Sequence, residues 1–544
     1  MKILNSFTIK FSVLIIFLII QLKALSILGT YWDDAGYIQT TPIIYDKIRI
    51  FFTEYDNPYL GHFNYNLEFY GYLFPFIVDI FSNFEIIQLF VKFIIENIYS
   101  YKIINDADLL TISRFFVFNL VIALIIYFLG NFSRKVYGFI YSTLFVLFLF
   151  LIPSFNGHLF FNIKDIPFSI ILFFISIYLF HKNESLFDIS KNNYSFLLKI
   201  SLGFSSLLLI RISGIIFIAF LCFGVYIFNL NTSRIVKDSL SYFTNLFLVF
   251  SFSSIITFIF TPSAWRYPKV WLTKAIETQF LLSDWSGEVL TNGKSLNAQN
   301  LPKDYLIEWF FYKLPINIIF FVVLGTIFIL LNKNKFDNFT KYSLLFVISI
   351  FSFFSIFQPL AYDGIRQYLF LLPFFVHIVS IFFVELFNFE KLKFTTIGII
   401  AISIFYMFNS QYSIYPYNYV YFNEFTDEEN ITYLCENLNG CGEWETDYWG
   451  LSGKSLIVNS IDKIDSEKQI VFCRPEQVFT DYIDEHSSIE TSETFYVASI
   501  NRPGNINSIC KSINLRENTC ELINKKSVNL RDSEMYLSYL YYCS

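Results

Sequence analysis

Two adjacent carboxylates, Asp33 and Asp34, stand in the run Tyr31-Trp32-Asp33-Asp34-Ala35-Gly36-Tyr37, directly after the apolar stretch Phe11 to Leu28. Carboxylates in that position can take a proton, bind a metal or pair with a cation. They can equally be a charged cap that keeps a membrane span from sliding inward, because span ends are ordinarily polar. A second group, Asn156-Gly157-His158-Leu159-Phe160-Phe161-Asn162-Ile163-Lys164-Asp165-Ile166-Pro167, puts a histidine, a lysine and an aspartate within eight residues. Lys164 can hold a phosphate, and Asp165 a sugar hydroxyl or a metal. The competing reading is a local Lys–Asp pair at a helix start, with Pro167 in the first turn. Arg211, in Arg211-Ile212-Ser213-Gly214, and Arg366, in Ala361-Tyr362-Asp363-Gly364-Ile365-Arg366-Gln367-Tyr368, each flank apolar runs. An arginine there either meets a partner or snorkels to a lipid phosphate. Thr261-Pro262-Ser263-Ala264-Trp265-Arg266-Tyr267-Pro268 joins aromatic and cationic groups, and His62 and Glu68 add polar groups that are equally at home in an ordinary loop.

The elements that carry these residues follow from composition. The 544-residue chain is 55% hydrophobic and 15% charged, where a soluble chain carries about 25% charged residues. The chain therefore reads as a polytopic α-helical membrane protein. A net charge of −6 gives nucleic acid nothing to bind. Phe11 to Leu28 has the length of a span, about 20 residues, and is read as retained rather than cleaved, because Ser26-Ile27-Leu28-Gly29-Thr30 is a poor cleavage site. Further apolar segments recur at 114–130, 137–153, 166–181, 195–210, 213–229, 240–260, 314–331, 342–359, 367–387 and 394–409, about eleven in all. With the N-terminus inside, the short inner loops hold Arg134 and Lys135; Lys182 and Lys191; Arg234 and Lys237; Lys333, Lys335 and Lys341; and Lys391 and Lys393. Every one is basic, as the positive-inside rule requires.

That topology gathers the candidate residues on the outer face, in the loops 31–113, 154–165 and 261–313 and a polar tail, 410–544. Residues 67–100 of the first loop read as interfacial helices or a further pair of spans. The transmembrane part is 1–409, and the tail is an extracytoplasmic soluble domain. Six of the seven cysteines lie in the tail, an even set that suggests disulfides in an oxidising compartment. The six allow fifteen pairings. Carboxylates and cations meeting at a membrane face suit a lipid-phosphate substrate: cations hold the phosphate, and a carboxylate takes the proton of an attacking hydroxyl.

These residues resemble the GT-C glycosyltransferases that use polyprenyl-phosphate sugars, in particular the protein O-mannosyltransferases and the lipid A aminoarabinose transferase. An acidic pair after the first span, matched by Asp33-Asp34, is shared with that group, where it is commonly Asp-Glu. The run His158 to Pro167 is similar to the second outer loop of bacterial members. Trp265 with Pro268, Tyr305 in Leu301-Pro302-Lys303-Asp304-Tyr305, Arg366, Tyr417 to Asn423 and Asp447-Tyr448-Trp449-Gly450 extend the likeness.

The resemblance implies a GT-C fold in a bacterial inner membrane, with the site and tail facing the periplasm. It implies inverting transfer of one sugar from a polyprenyl phosphate to a hydroxyl on protein, lipid or glycan. Asp33 or Asp34 would be the base, and Lys164, Arg211 and Arg366 phosphate ligands. His62, His158, Asp165, Trp265 and Tyr305 would bind substrate. A divalent cation held by Asp33, Asp34 or Asp165 is the one cofactor left open. The rival readings are a transporter or lipid flippase, which would carry its ionisable groups near mid-span, and an assembly protein that presents the tail.

Overall fold

In a computed structural model, the structure describes residues 21–54, 69, 71–188, 194–230, 232–281, 287–427, 443–465, 468–473, 475–483, 494–502, 510 and 520–544. The chain is mostly helical. Among the described residues five helices are long and apolar enough to cross a membrane: Asp106–Tyr137, Ile235–Ile259, Asn338–Phe357, Arg366–Phe387 and Glu390–Ile414. Counting each of three bent helix pairs as one span raises the number to eight. The bent pair Leu73–Ser82 and Glu85–Asn97 falls in the stretch 67–100 and was not among the eleven expected spans, and the first of those, Phe11 to Leu28, lies outside the described residues up to position 20. The expected eleven also include Asp165–His181, Tyr194–Ile210 and Gly214–Asn229, which have 17, 17 and 16 residues. At 1.5 Å per residue such helices are about 25 Å long, short of a hydrocarbon core of about 30 Å.

Local sequence explains where helices begin, end and bend. Asn105 Oδ1 accepts from the Asp108 amide at 2.9 Å, opening the helix Asp106–Tyr137. Arg134 and Lys135 lie in its last turn, where they meet the negative end of the helix dipole. Pro153 starts a new helix at 79° to the preceding one, and Pro315 lies in the break of 117° between Tyr305–Lys313 and Ile316–Leu331. The first break turns Pro153–Leu159, with His158, across the end of the bundle. Gly157 lies there against the chain at Tyr419, where a Cβ would come within 2.0 Å of the backbone nitrogen.

Beyond the helices, β1 (Glu288–Thr291) and β2 (Lys294–Asn297) form a hairpin. The tail adds β3 (Ile470–Phe472), β4 (Phe495–Ile500), β5 (Glu521–Leu530) and β6 (Ser533–Cys543), in the sheet order β3-β4-β6-β5. Among the described strands only β3 and β4 run parallel. Cys473 pairs with Cys510 and Cys520 with Cys543, while Cys435 and Cys441 lie outside the described residues.

The tail is docked on the helices. Tyr417, Tyr419, Phe422, Trp444, Trp449 and Leu451 belong to the same buried cluster as the helical core. The amides of Gly29 and Trp32 donate at 2.9 Å to the carbonyls of Leu451 and Trp449. Lys454 reaches Asp108 and the Ser26 carbonyl, with lysine and aspartate both fully buried. The helix Lys393–Ile414 runs past the boundary expected at 409/410.

Candidate active site

The acid pair is split. Adjacent residues at a helix start point about 100° apart. Asp34, the first residue of the helix Asp34–Thr53, is 2% exposed, and Arg114 Nη1 donates to its Oδ1 at 2.6 Å. Asp33 keeps 33% of its side chain exposed and lines a cavity of about 650 Å³.

Two chemically unlike sets of residues line that cavity. Trp32, Asp33, Lys164, Arg211, Asp363, Arg366, Trp449 and Arg502 come from helix ends, loops and the tail. Phe168, Ile216, Phe217, Phe220, Ile350 and Phe353 come from the apolar helices Asp165–His181, Gly214–Asn229 and Asn338–Phe357.

Arg366 is the hub of the polar set. It donates through Nη2 to Asp33 Oδ2 at 2.8 Å, through Nη1 to Asp363 Oδ2 at 2.6 Å and through Nε to Asp165 Oδ2 at 3.3 Å. Its guanidinium lies 4.0 Å from the centre of a Trp449 ring. Arg211 Nη2 donates to the other Asp165 oxygen. Arg502 donates to Asp363 Oδ1 at 2.9 Å and to the Tyr448 carbonyl at 2.5 Å, with its guanidinium 4.3 Å over a Trp32 ring.

Short-range turns hold these groups. Asn162 Oδ1 accepts from the Asp165 amide at 2.9 Å and its Nδ2 donates to Asp165 Oδ2 at 3.0 Å. Asp363 and Gly364 both take positive φ, 57° and 63°, which turns the chain just before Arg366. Asp447 accepts from the Gly450 and Ser452 amides at 2.9 and 3.2 Å, a side-chain-closed turn that presents Trp449. Lys164 Nζ sits 4.6 Å from the centre of the Tyr37 ring. Burial, against the pull of Asp33 and with Arg211 nearby, pushes the Lys164 ammonium down to about 7.

The structure thus brings together Asp33, Lys164, Arg211 and Arg366, with Asp165 directly behind them. Arg366, expected as a phosphate ligand, spends its nitrogens on three carboxylates instead. His158 is buried outside the cavity lining, its Nε2 2.9 Å from the Tyr448 hydroxyl and its Nδ1 3.2 Å from Asn162 Nδ2. Trp265 lies outside the lining, donating from Nε1 to the Phe258 carbonyl at 2.9 Å and packing edge-on against Phe51. Tyr305 is fully buried beside Trp309 and Phe354, also outside it. His62 lies outside the described residues.

Among the described residues no three His, Cys, Asp or Glu side chains cluster for a metal. Asp33, Asp34 and Asp165 each turn at least one oxygen to an arginine and do not form such a cluster. Residues absent from the sequence reading of the site are Asp363, Arg502, Trp32 and the Arg114 partner of Asp34. Arg114 did carry a signal: it is a charge inside an otherwise apolar stretch.

What this arrangement can do chemically is bind an amphiphile. Cations and a carboxylate receive a polar head, and the phenylalanines receive an apolar chain. No protein family, curated protein or solved structure matches this chain.

Proposed function

We propose that the chain is an integral-membrane glycosyltransferase of the GT-C type, with eleven spans and with the cavity and tail on the extracytoplasmic side. It moves a sugar from a polyprenyl phosphate to an acceptor hydroxyl. The observation that carries this reading is the cavity in which Asp33, Lys164 and Arg211 share one space with the phenylalanines of three apolar helices.

Among the described residues Asp33 accepts on Oδ2, from Arg366 at 2.8 Å and from the Tyr37 hydroxyl at 3.5 Å, which leaves Oδ1 for a ligand. Asp33 takes the proton from the acceptor hydroxyl as its oxygen attacks the anomeric carbon. The bond from that carbon to the phosphate oxygen breaks, and its electron pair leaves with the polyprenyl phosphate. Lys164 and Arg211 hold the charge that develops there. Attack opposite the leaving group inverts the anomeric centre.

The test is reconstitution of purified protein in lipid vesicles with a panel of radiolabelled polyprenyl-phosphate sugars. Release of polyprenyl phosphate coupled to a labelled acceptor is expected. Movement of the donor between leaflets without cleavage would instead make the protein a flippase.

A further inference from the structure

We propose that Arg502, supplied by the tail, is a positioning residue that fixes Asp33 through Asp363 and Arg366. Arg502 stands two residues beyond β4, the strand paired with both β3 and β6, so its base is set by the sheet. Its Nη1 is tied to the Tyr448 carbonyl and its Nη2 to Asp363 Oδ1. Asp363 is 1% exposed, and its other oxygen takes Arg366 Nη1 at 2.6 Å. Arg366 in turn holds Asp33 at 2.8 Å.

A buried carboxylate needs its charge and lone pairs met, so Asp363 keeps its geometry only while both guanidinium groups are present. A second connection runs in parallel. Tyr448 meets His158 at 2.9 Å, His158 meets Asn162 at 3.2 Å, and Asn162 holds Asp165, which binds Arg366. Both connections start in the tail and converge on the guanidinium that orients Asp33. The disulfide-bearing domain is therefore part of the site and not an appendage to it. The catalytic consequence rests on the glycosyl-transfer reading above; the positioning does not.

The test uses the full chain in nanodiscs and has two readouts. The first is carbodiimide labelling of Asp33, measured by peptide mass spectrometry against the exposed Asp304 in the same sample. Arg502→Gln should raise the Asp33 to Asp304 ratio, and Arg502→Lys, which keeps a cation for Asp363, should raise it less. If Arg502→Gln does not fold, Arg502→Lys against wild type carries the same comparison. The second readout is turnover. Misplacing a reacting group costs about 10- to 100-fold, so kcat of Arg502→Gln should fall by that factor per folded molecule with the donor KM little changed.

An unchanged labelling ratio overturns the inference whatever the turnover. So does a raised ratio with unchanged kcat, and so does a raised KM with unchanged kcat, which would make Arg502 a ligand contact. A raised ratio in a protein whose wild type transfers no sugar removes the proposed function and leaves the positioning intact.

Discussion

Arg366 Nη2 meets Asp33 Oδ2 at 2.8 Å across 333 positions of sequence, and the same guanidinium also binds Asp165 and Asp363. Three carboxylates from three distant segments can share so small a volume because guanidinium groups lie between them. Arg211 takes the second oxygen of Asp165, and Arg502 the second oxygen of Asp363. Asp165 and Asp363 are thus each shared between two arginines, so loss of one arginine loosens more than its own ion pair.

The two members of the acid pair should fail in different ways. Asp33→Asn keeps the shape but removes the base, whose contribution is typically about 10²–10⁴-fold. Transfer should therefore fall at least about 100-fold while the protein folds normally. Asp34→Asn leaves Arg114 buried without its counter-charge, which costs about 3–5 kcal/mol. Its melting temperature and yield should drop, with near-normal turnover in the molecules that fold. Rates per folded molecule, beside thermal melting of both variants, decide. Near-normal turnover of Asp33→Asn would remove that residue from the mechanism.

The proposed sidedness has its own test. Cysteines introduced at Tyr45, Asn292 and Thr480 should react with an impermeant maleimide added outside. Cysteines at Glu184 and Lys335 should react only once the cytoplasmic face is opened. Labelling of position 292 from the cytoplasmic side would sink the eleven-span arrangement.

The helices were legible because apolar length is a local signal, whereas the breaks at Pro153 and Pro315 were not read, although proline marks them. The segments expected at 195–210 and 213–229 are the helices Tyr194–Ile210 and Gly214–Asn229, with Arg211 at the turn between them. Asp33, Lys164, Arg211 and Arg366 were legible because a charge beside an apolar run must be explained. The division of labour between Asp33 and Asp34 was not, since it depends on Arg114, 80 residues away. Arg502 was not, because it sits in a polar tail where one more arginine stands out from nothing. Trp265 shared the look of an interfacial site residue with Trp32 and Trp449, and only the packed structure separates the two that line the cavity.

The tail bridges should be measurable. Alkylation of denatured protein without reductant should spare Cys473, Cys510, Cys520 and Cys543, and reductant should expose them. Cys520 and Cys543 lie 23 residues apart, and closing a loop of that size contributes about 3 kcal/mol in the chain-entropy account. Replacing both by serine should lower the melting temperature of the sheet. If Arg502 positions Asp33, turnover should fall along with it. Alkylation of all four without reductant would end the idea.

The last prediction concerns pH. Lys164 is pushed down to about 7, chiefly by burial, with Asp33 pulling the other way. The sign is that of a lysine lowered towards neutrality: below pH 7 the ammonium is charged and attracts the donor phosphate, and above pH 7 it is increasingly neutral and does not. Because kcat/KM reports the groups of the free enzyme, kcat/KM for the donor should fall as pH rises through about 7. Once bound, the phosphate favours the charged lysine, so kcat should change less over the same range. Lys164→Met should flatten this fall and leave a low kcat/KM throughout. Lys164→Arg, which stays charged at every accessible pH, should remove the fall while keeping donor affinity. Donor kinetics between pH 6 and 8.5 on the three proteins are sufficient. A kcat/KM fall that persists unchanged in Lys164→Arg would assign it to another group and take Lys164 out of phosphate binding.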